Sequence, residues 1–237
     1  MIHETSQFKI YFGDARDALS KTVDCVPTNN PLIGHQKFAQ IATQIAVKDL
    51  ACLNQIHSNC GIIVADQIPA FTYDGDFLIT AQSNIGIGVL TADCLPVIMY
   101  DYKNHVAASV HAGWRGTVAG IAQEAVKMMQ SSCGSQVQDL KIFFGPSAKV
   151  CCYQVNEEFE KNLQDFSYAD RVVKKVNNAI YFDVPLFNAL QLQHIGVQES
   201  AISYDYNLCT MCDHRFFSYR RQGEAAGRQM AIISLKY

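Results

Sequence analysis

Three side chains of metal-binding type stand in otherwise apolar or glycine-rich surroundings in this sequence. Cys94 lies in the segment TADCLPVIMYD, directly after Asp93, and His111 lies further along in ASVHAGWRG. His57 lies upstream, in CLNQIHSNCG. One thiolate and two imidazoles form a donor set that Zn²⁺ takes in catalytic sites, where a fourth position stays free for water. The residue types predict metal-assisted chemistry, whereas their long and irregular spacing does not by itself separate a site from unrelated residues.

Predicted strands and turns would bring two of these side chains together. Cys94 follows an apolar stretch over 86–91 and precedes Pro96, so it is predicted at a turn between two strands. His111 is predicted to close the strand 106–110, just before Gly113-Trp-Arg-Gly116 leads into a helix. Strand ends hold side chains rigidly while facing open space, which is where active-site groups are commonly found. We therefore expect Cys94 and His111 to lie close to each other.

The wider pattern predicts an α+β fold, with mixed β-sheets and flanking helices. Apolar and β-branched stretches predict strands at 8–12, 62–65, 77–80, 86–91, 97–100, 106–110, 141–144, 179–183 and 231–235. Apolar residues at helical spacing predict helices at 38–47, 118–129 and 184–194. Strands in runs with irregularly placed helices favour mixed sheets over a strictly alternating fold. No repeat or Gly/Ser linker divides the chain, so residues 1–237 are predicted to form a single domain.

Composition narrows the class of partner. The chain has 237 residues, 49% of them hydrophobic, and a formal net charge of -3 with scattered Lys and Arg. Such a charge distribution does not fit a surface that follows nucleic-acid phosphates, and it favours a small polar substrate. The first residues lack the pattern of an export signal, and no apolar stretch is long enough for a membrane span, so a cytoplasmic protein is expected. The oligomeric state is not indicated.

The nine cysteines do not suggest a disulfide framework. Their number is odd, their spacing is irregular, and no export signal accompanies them. Cys209 and Cys212 form a CxxC pattern with His214 close by, but the chain has no second CxxC. Cys151 and Cys152 are adjacent in the segment GPSAKVCCYQV. For both pairs, buried or loop thiols are favoured over metal ligands at this point.

Several motifs together resemble a known family. The strings QIHS, DGDFLIT, TADCLPVIMYD, HAGWRG, FFGPSAKVCCYQV, FDV, FFSYRR and GR occur in this order from about Asn54 onward. In this order they are similar to the bacterial YfiH family, also called the polyphenol oxidase or laccase-domain family. The resemblance implies purine nucleoside phosphorylase activity, zinc bound by His57, Cys94 and His111, and a fold similar to that of cytotoxic necrotizing toxins that use a Cys–His pair. The first fifty residues depart from the family, because YFGDARDALS replaces its GGVS-like and Asn-Leu-Gly segments.

The resemblance also suggests roles for individual residues. Phosphorolysis requires an anion held against C1′ of the ribose, and the planar guanidinium groups of Arg115, Arg220 and Arg221 suit bidentate phosphate binding. Gln55 is expected to contact substrate. Asp93, beside Cys94, is expected either to act as an acid or base or to orient a ligating imidazole.

The family name raises the question of copper. The chain has seven histidines and no His-x-His pair. Multicopper oxidation relies on many imidazole ligands, so true laccase chemistry is not expected, and zinc is favoured over copper.

Three functions remain open at this stage. The first is zinc-dependent phosphorolysis of adenosine, inosine and S-methyl-5′-thioadenosine, with adenosine deamination as a second activity, since zinc lowers the pKa of bound water. The second is a hydrolase, either a Cys94–His111 enzyme or an editing amidase that removes serine from UDP-MurNAc-L-Ser. The third is a metal-binding partner protein without turnover.

Overall fold

The computed structural model describes residues 1–19, 32–68, 70–83 and 85–237, with only the backbone for 32–36. These residues form fourteen strands: β1 (Ile2–Glu4), β2 (Phe8–Phe12), β3 (Asp49–Ala51), β4 (Gly61–Ile63), β5 (Phe77–Thr80), β6 (Ile85–Thr91), β7 (Leu95–Asp101), β8 (Val106–Ala112), β9 (Leu140–Phe144), β10 (Gln154–Val155), β11 (Val173–Val176), β12 (Ala179–Phe182), β13 (Ile202–Ser203) and β14 (Gln229–Leu235).

The same residues form seven α-helices and five short 3₁₀ helices. The α-helices are α1 (Leu32–Ile45), α2 (Trp114–Val118), α3 (Ile121–Cys133), α4 (Glu157–Glu160), α5 (Ala169–Val172), α6 (Val184–His194) and α7 (Tyr219–Gln222). The 3₁₀ helices are Ala15–Asp17, Val137–Asp139, Lys161–Leu163, Glu199–Ala201 and Gly223–Ala225. None of the described helices has the length and apolar character needed to cross a membrane.

The strands form three sheets. A five-stranded sheet has the order β1-β2-β14-β6-β3, a six-stranded sheet has the order β13-β9-β7-β8-β5-β4, and a small sheet has the order β10-β12-β11. Strands β3, β4 and β13 pair in parallel with β6, β5 and β9, and the other pairs are antiparallel. The α+β fold with mixed sheets is thereby confirmed.

The two large sheets pack face to face, and helices cover their outer faces. Side chains alternate along β7, so Val97 and Met99 join the core beneath α3 and α6, while Ile98 and Tyr100 point to the other sheet. On the far side, Ile41 of α1 packs on the five-stranded sheet. The resulting order is helix, sheet, sheet, helix; two of the predicted ligands, His57 and Cys94, lie between strands, and His111 lies near the end of β8.

Two predicted elements differ from the observed ones in ways that affect the site. Strand β8 continues to Ala112, so His111 lies inside the strand rather than after its end. The helix predicted over 118–129 is divided at Gly120, whose φ of 78° lies in the left-handed region and ends one helix before α3 begins. The break lets α2 start directly at Trp114, next to the predicted ligands.

Candidate active site

The three predicted ligands converge in space. Cys94 occupies the turn between β6 and β7, and His111 lies on β8 opposite Pro96 of β7. His57 comes from the loop between β3 and β4, with a left-handed φ of 60°. Each offers one donor atom, and these atoms all lie within 4.8 Å of one another. Three segments that are far apart in sequence thus form one donor cluster.

Asp76, a residue that the sequence analysis did not single out, holds both histidines in place. Its side chain is fully buried directly before β5. Oδ1 accepts a hydrogen bond from Nδ1 of His111 at 2.8 Å and from the backbone N–H of His57 at 3.1 Å. Oδ2 accepts from the N–H and the hydroxyl of Ser58, at 2.6 and 2.8 Å. Because Nδ1 of His111 is bound to this carboxylate, Nε2 is the ring atom that could ligate a metal.

Asp76 was missed because its role depends on contacts that are remote in sequence. The only local signal is its place in DGDFLIT, one of the strings that carry the family resemblance. Although burial raises the pKa of the Asp76 carboxyl, its bonds to His111 and Ser58 outweigh burial and leave the pKa below the ordinary value. The carboxylate therefore stays ionised opposite His111.

The cluster favours a thiolate at Cys94. Burial raises the pKa of this thiol, but the nearby His111 and hydrogen bonds from both histidines lower it to about 6. Conversely, burial lowers the pKa of His111, and the opposing effects of Cys94 and Asp76 raise it to about 9. Because thiolates are the form of cysteine that binds metals and acts as a nucleophile, both chemistries are open to Cys94.

Gly113 leaves room beside the donor atoms. A Cβ at this position would lie 2.9 Å from Cδ2 of His57 and 3.2 Å from Sγ of Cys94. Any side chain here would press on two of the three donors. The chain approaches the cluster closely at Gly113, where one thiolate and two imidazoles converge. These features together fit a zinc ion of the catalytic type.

The donor cluster opens into a cavity of about 480 Å³, a size typical of small-molecule sites. Its lining includes the apolar side chains of Leu53, Phe71 and Leu90. The cationic side chains of Arg115 and Arg220 line it as well. A ligand with a flat apolar part and an anionic part would match these two kinds of side chain.

Arg115 lies at the cavity as predicted, and its neighbour supports it. The Arg115 guanidinium lies over the Trp114 ring at 4.4 Å from the centroid. Trp114 packs edge to face against Phe159 and is partly buried on the core. Arg115 itself is exposed and forms no ion pair with a residue in the described part of the chain, so its N–H donors are available to an anion.

The two arginines of FFSYRR have different surroundings. Arg220 lines the cavity, lies over the Tyr153 ring at 4.6 Å, and donates one bond to the carbonyl of Gln154. Arg221 is not among the residues that line the cavity. Its guanidinium donates to the backbone carbonyls of three residues instead: Thr210, Met211 and Phe216. Arg221 is thus bound to the backbone, and only Arg220 of the two lines the cavity.

Asp93 is buried beside Cys94 and is fully engaged. It accepts hydrogen bonds from the hydroxyls of Thr210 and Ser218, at 2.6 and 3.0 Å, and from the N–H of Arg220 at 2.7 Å. Its φ of 87° is unusual for a residue other than glycine. Asp76 rather than Asp93 accepts the hydrogen bond of His111, and Asp93 ties the turn at Cys94 to the loops beside it.

Gln55 lines the cavity, but both ends of its amide are occupied. Nε2 donates to the carbonyl of Leu90 at 2.8 Å, and Oε1 accepts from the Leu90 N–H at 2.7 Å. This pairing fixes the loop that carries His57 against β6. Gln55 therefore helps to position His57, while its place in the cavity lining leaves the expected substrate contact a prediction.

Comparisons with known proteins place the chain among relatives. A family model described as multi-copper polyphenol oxidoreductase laccase matches residues 29–236. A purine nucleoside phosphorylase of Clostridium acetobutylicum is 31% identical over 232 residues, which cover 97% of this chain and 93% of that protein. A purine nucleoside phosphorylase of Borreliella burgdorferi is 32% identical, with 75% of this chain and 76% of the relative covered.

The fold has solved counterparts as well. The crystal structure of the Bacillus licheniformis protein YfiH superimposes with a TM-score of 0.83 and 24% identity, covering 97% of this chain and 93% of that one. The matches to the Clostridium protein and to YfiH each cover 97% of this chain. They therefore include residues among the first fifty, where the motifs of this sequence depart from those of the family. The chain therefore belongs, over nearly its whole length, to the YfiH or polyphenol oxidase family, whose model is described as multi-copper polyphenol oxidoreductase laccase.

Proposed function

We propose that this protein is a purine nucleoside phosphorylase that uses a zinc ion bound by His57, Cys94 and His111. The observation that carries the proposal is that this donor cluster lines a cavity together with apolar side chains and arginines. The names of the Clostridium and Borreliella relatives support the same reaction. Adenosine, inosine and S-methyl-5′-thioadenosine are the substrates that we propose.

Zinc is proposed in preference to copper because of the donor set. One thiolate and two imidazoles leave one position of a tetrahedron free, which is the pattern of catalytic zinc. Multicopper centres draw on many imidazoles, and this chain has seven histidines in all, without a His-x-His pair. When bound, zinc would supply Lewis-acid polarisation of an oxygen atom in the cavity.

The chain's own residues would hold the two substrates in line. Arg115 and Arg220 would bind phosphate, so that one of its oxygens faces C1′ of the ribose. The C–O bond to phosphate forms as the bond from C1′ to the purine nitrogen breaks, and the purine leaves with a proton. The apolar side chains of Leu53, Phe71 and Leu90 would bind the flat base and exclude water from it. Ribose 1-phosphate and the free purine are the products.

We also propose adenosine deamination as a second activity of the same site. In this reaction a water molecule replaces phosphate as the attacking group, C6 of the purine replaces C1′, and ammonia leaves. Arg115 and Arg220 would have no phosphate to bind in this reaction. The two activities would therefore share the donor cluster but differ in their need for the arginines.

A product assay tests the proposal. Purified protein is incubated with adenosine, with and without inorganic phosphate, and ribose 1-phosphate, adenine, inosine and ammonia are measured. We expect ribose 1-phosphate and adenine only with phosphate, and inosine with ammonia in both samples. Absence of ribose 1-phosphate with all three proposed nucleosides, from protein shown to contain zinc, would contradict phosphorolysis.

A second candidate is a Cys–His hydrolase, because Cys94 also accepts a hydrogen bond from His111. Its test uses alkylation, since a ligating thiolate is shielded and a nucleophile must be exposed. In a zinc enzyme, Cys94 of the metal-loaded protein resists iodoacetamide and becomes reactive after chelation. Rapid alkylation of Cys94 in the metal-loaded protein, together with serine release from UDP-MurNAc-L-Ser, would favour the hydrolase.

A further inference from the structure

Four cysteines outside the active-site cavity form a second cluster, which we call the tetracysteine cluster: Cys151, Cys152, Cys209 and Cys212. Their sulfur atoms all lie within 4.8 Å of one another. The Sγ of Cys212 lies 3.0 Å from that of Cys152 and 3.6 Å from that of Cys151. The two cysteine pairs are almost sixty residues apart in sequence, so only the fold brings them together.

These separations suit a metal ion. Zinc lies about 2.3 Å from each thiolate sulfur in a tetrahedral site, which puts neighbouring sulfurs about 3.8 Å apart. A disulfide requires a separation of about 2.05 Å, and the four cysteines of the tetracysteine cluster form none. Four sulfur donors without an oxygen or imidazole select zinc or an iron–sulfur centre.

The backbone around Cys209 is arranged for a thiolate. Burial raises the pKa of the Cys209 thiol, but the backbone N–H groups of Cys212, Lys149 and Met211 help to bring it below its ordinary value. The CxxC turn is closed by a bond from the N–H of Asp213 to the carbonyl of Cys209 at 3.0 Å. Backbone N–H groups near a sulfur stabilise negative charge on it.

The two segments are also joined rigidly beside the cluster. Ser147 and Cys209 form an isolated parallel bridge, in which the Ser147 N–H donates to Leu208 and the Thr210 N–H donates back to Ser147, both at 3.0 Å. The ammonium group of Lys149 donates to a carbonyl of the second segment, that of Asn207. These contacts place the four sulfurs before any ion binds.

We propose that Cys151, Cys152, Cys209 and Cys212 bind one structural zinc ion, separate from the site at Cys94. With four thiolate ligands such a site has no free position, so its role is to hold the segments together. Both segments reach the active-site cavity. Thr210, inside the CxxC, donates to Asp93 beside Cys94, and Tyr153, next to Cys152, lies under the guanidinium of Arg220.

The experiment measures zinc in the Cys94→Ala protein, so that its outcome does not depend on the proposed function. We expect this protein to retain one zinc ion per chain, and to lose it when Cys152→Ser and Cys212→Ser are added. Cys133→Ser in the same background is the matched control, because Cys133 lies in neither cluster, and zinc should be unchanged. Iron in place of zinc, or no metal in folded Cys94→Ala protein, would overturn the proposal.

A second measurement uses the unaltered cysteines, in case the serine variant does not fold. The Cys94→Ala protein is treated with chelator, divided, and labelled with iodoacetamide with and without added Zn²⁺; labelled residues are identified by mass spectrometry. Zinc should protect the four cysteines of the tetracysteine cluster, whereas exposed Cys60 should be labelled in both samples. Equal labelling of the cluster with and without zinc, or a Cys152–Cys212 disulfide in freshly isolated protein, would contradict a zinc site.

Discussion

At the scale of single residues, the site depends on a carboxylate that touches no substrate. Asp76 is the hydrogen-bond partner of His111 and also of the loop that carries His57. A second carboxylate, Asp93, ties the turn beside Cys94 to Thr210 and Ser218. Asp76 and Asp93 thus orient the segments that carry the three donors. Variants of these two carboxylates test how much the orientation of a donor matters when the donor itself is kept.

Asp76→Asn should weaken zinc binding at the active site without removing a ligand. The amide keeps one acceptor but cannot serve both His111 and Ser58 as an anion, so we expect a loss of about 10–100-fold in zinc affinity. Competition with a chromogenic chelator measures the change. Asp101→Asn is the control, because Asp101 is an equally buried carboxylate that binds the backbone of Lys103 and Asn104 instead. Equal losses in the two variants would point to general destabilisation.

Arg115→Lys should impair phosphorolysis more than deamination. Lysine keeps the charge but loses the planar fork that binds two phosphate oxygens, so KM for phosphate should rise by about tenfold while adenosine deamination changes little. Steady-state rates at varied phosphate give the comparison. Arg171→Lys, at an exposed position of α5, should leave both activities unchanged. If Arg115→Lys lowers both activities equally, the residue supports the cavity rather than phosphate.

At the scale of elements, apolar stretches and helical spacing predicted the longer strands and helices but not the short strands β1, β3, β10, β11 and β13. The strands at Phe8–Phe12 and Phe77–Thr80 and the helix Val184–His194 have the bounds expected from the sequence. The break before α3 was not foreseen, because one glycine within an apolar helical pattern does not reveal a left-handed φ. The tetracysteine cluster could not be predicted either, since it depends on the pairing of Ser147 with Cys209 across the fold.

The short 3₁₀ helix Ala15–Asp17 places a buried carboxyl against β14, where the Met230 N–H donates to it at 3.0 Å. Burial raises the pKa of Asp17 from 3.8 to about 6, despite its bonds from Met230 and Tyr11. Below pH 3.8 the group is protonated in both folded and unfolded chains. Between pH 3.8 and pH 6 only the unfolded chain has lost this proton. The free energy of unfolding should therefore fall as pH rises through this range, by about 3 kcal/mol at most, and level off above pH 6.

Urea unfolding from pH 4 to pH 7 tests this prediction. Asp17→Asn should remove the decline attributed to Asp17, so that the difference between variant and unaltered protein changes with pH only in that window. Asp14→Asn is the control, because hydrogen bonds with Arg16 lower the pKa of Asp14 and its contribution is lost only at more acid pH. A parallel pH dependence for Asp17→Asn and the unaltered protein would contradict the pKa shift.

At the scale of the whole molecule, the two large sheets depend on strands from distant parts of the chain. Strand β14 lies between β2 and β6 in the five-stranded sheet and is buried along its whole length. Its residues Ala231, Ile233 and Leu235 also belong to the core between the sheets. The strand therefore contributes both backbone pairing and a large part of the central apolar contact.

Ending the chain after Arg228 should abolish the fold rather than remove an edge. Loss of β14 leaves β2 and β6 with unpaired backbone groups and exposes the core, so we expect insoluble protein or the loss of cooperative thermal unfolding. Circular dichroism and the soluble fraction after expression measure this outcome. Removal of Tyr237 alone is the control, because that side chain is fully exposed. A soluble, cooperatively unfolding protein ending at Arg228 would contradict the central role of β14.

The central position of β14 also dictates when the molecule can fold during its synthesis. The six-stranded sheet uses strands between residues 61 and 203, so it can form while the remainder of the chain is still being made. The five-stranded sheet has to wait for residues 229–235 to leave the ribosome, because its middle strand comes last. Until then β2 and β6 are open to pairing with other nascent chains, and slow translation would lengthen that exposure. Slow translation, or a high local density of ribosomes, should therefore lower the yield of folded protein because unfinished chains aggregate.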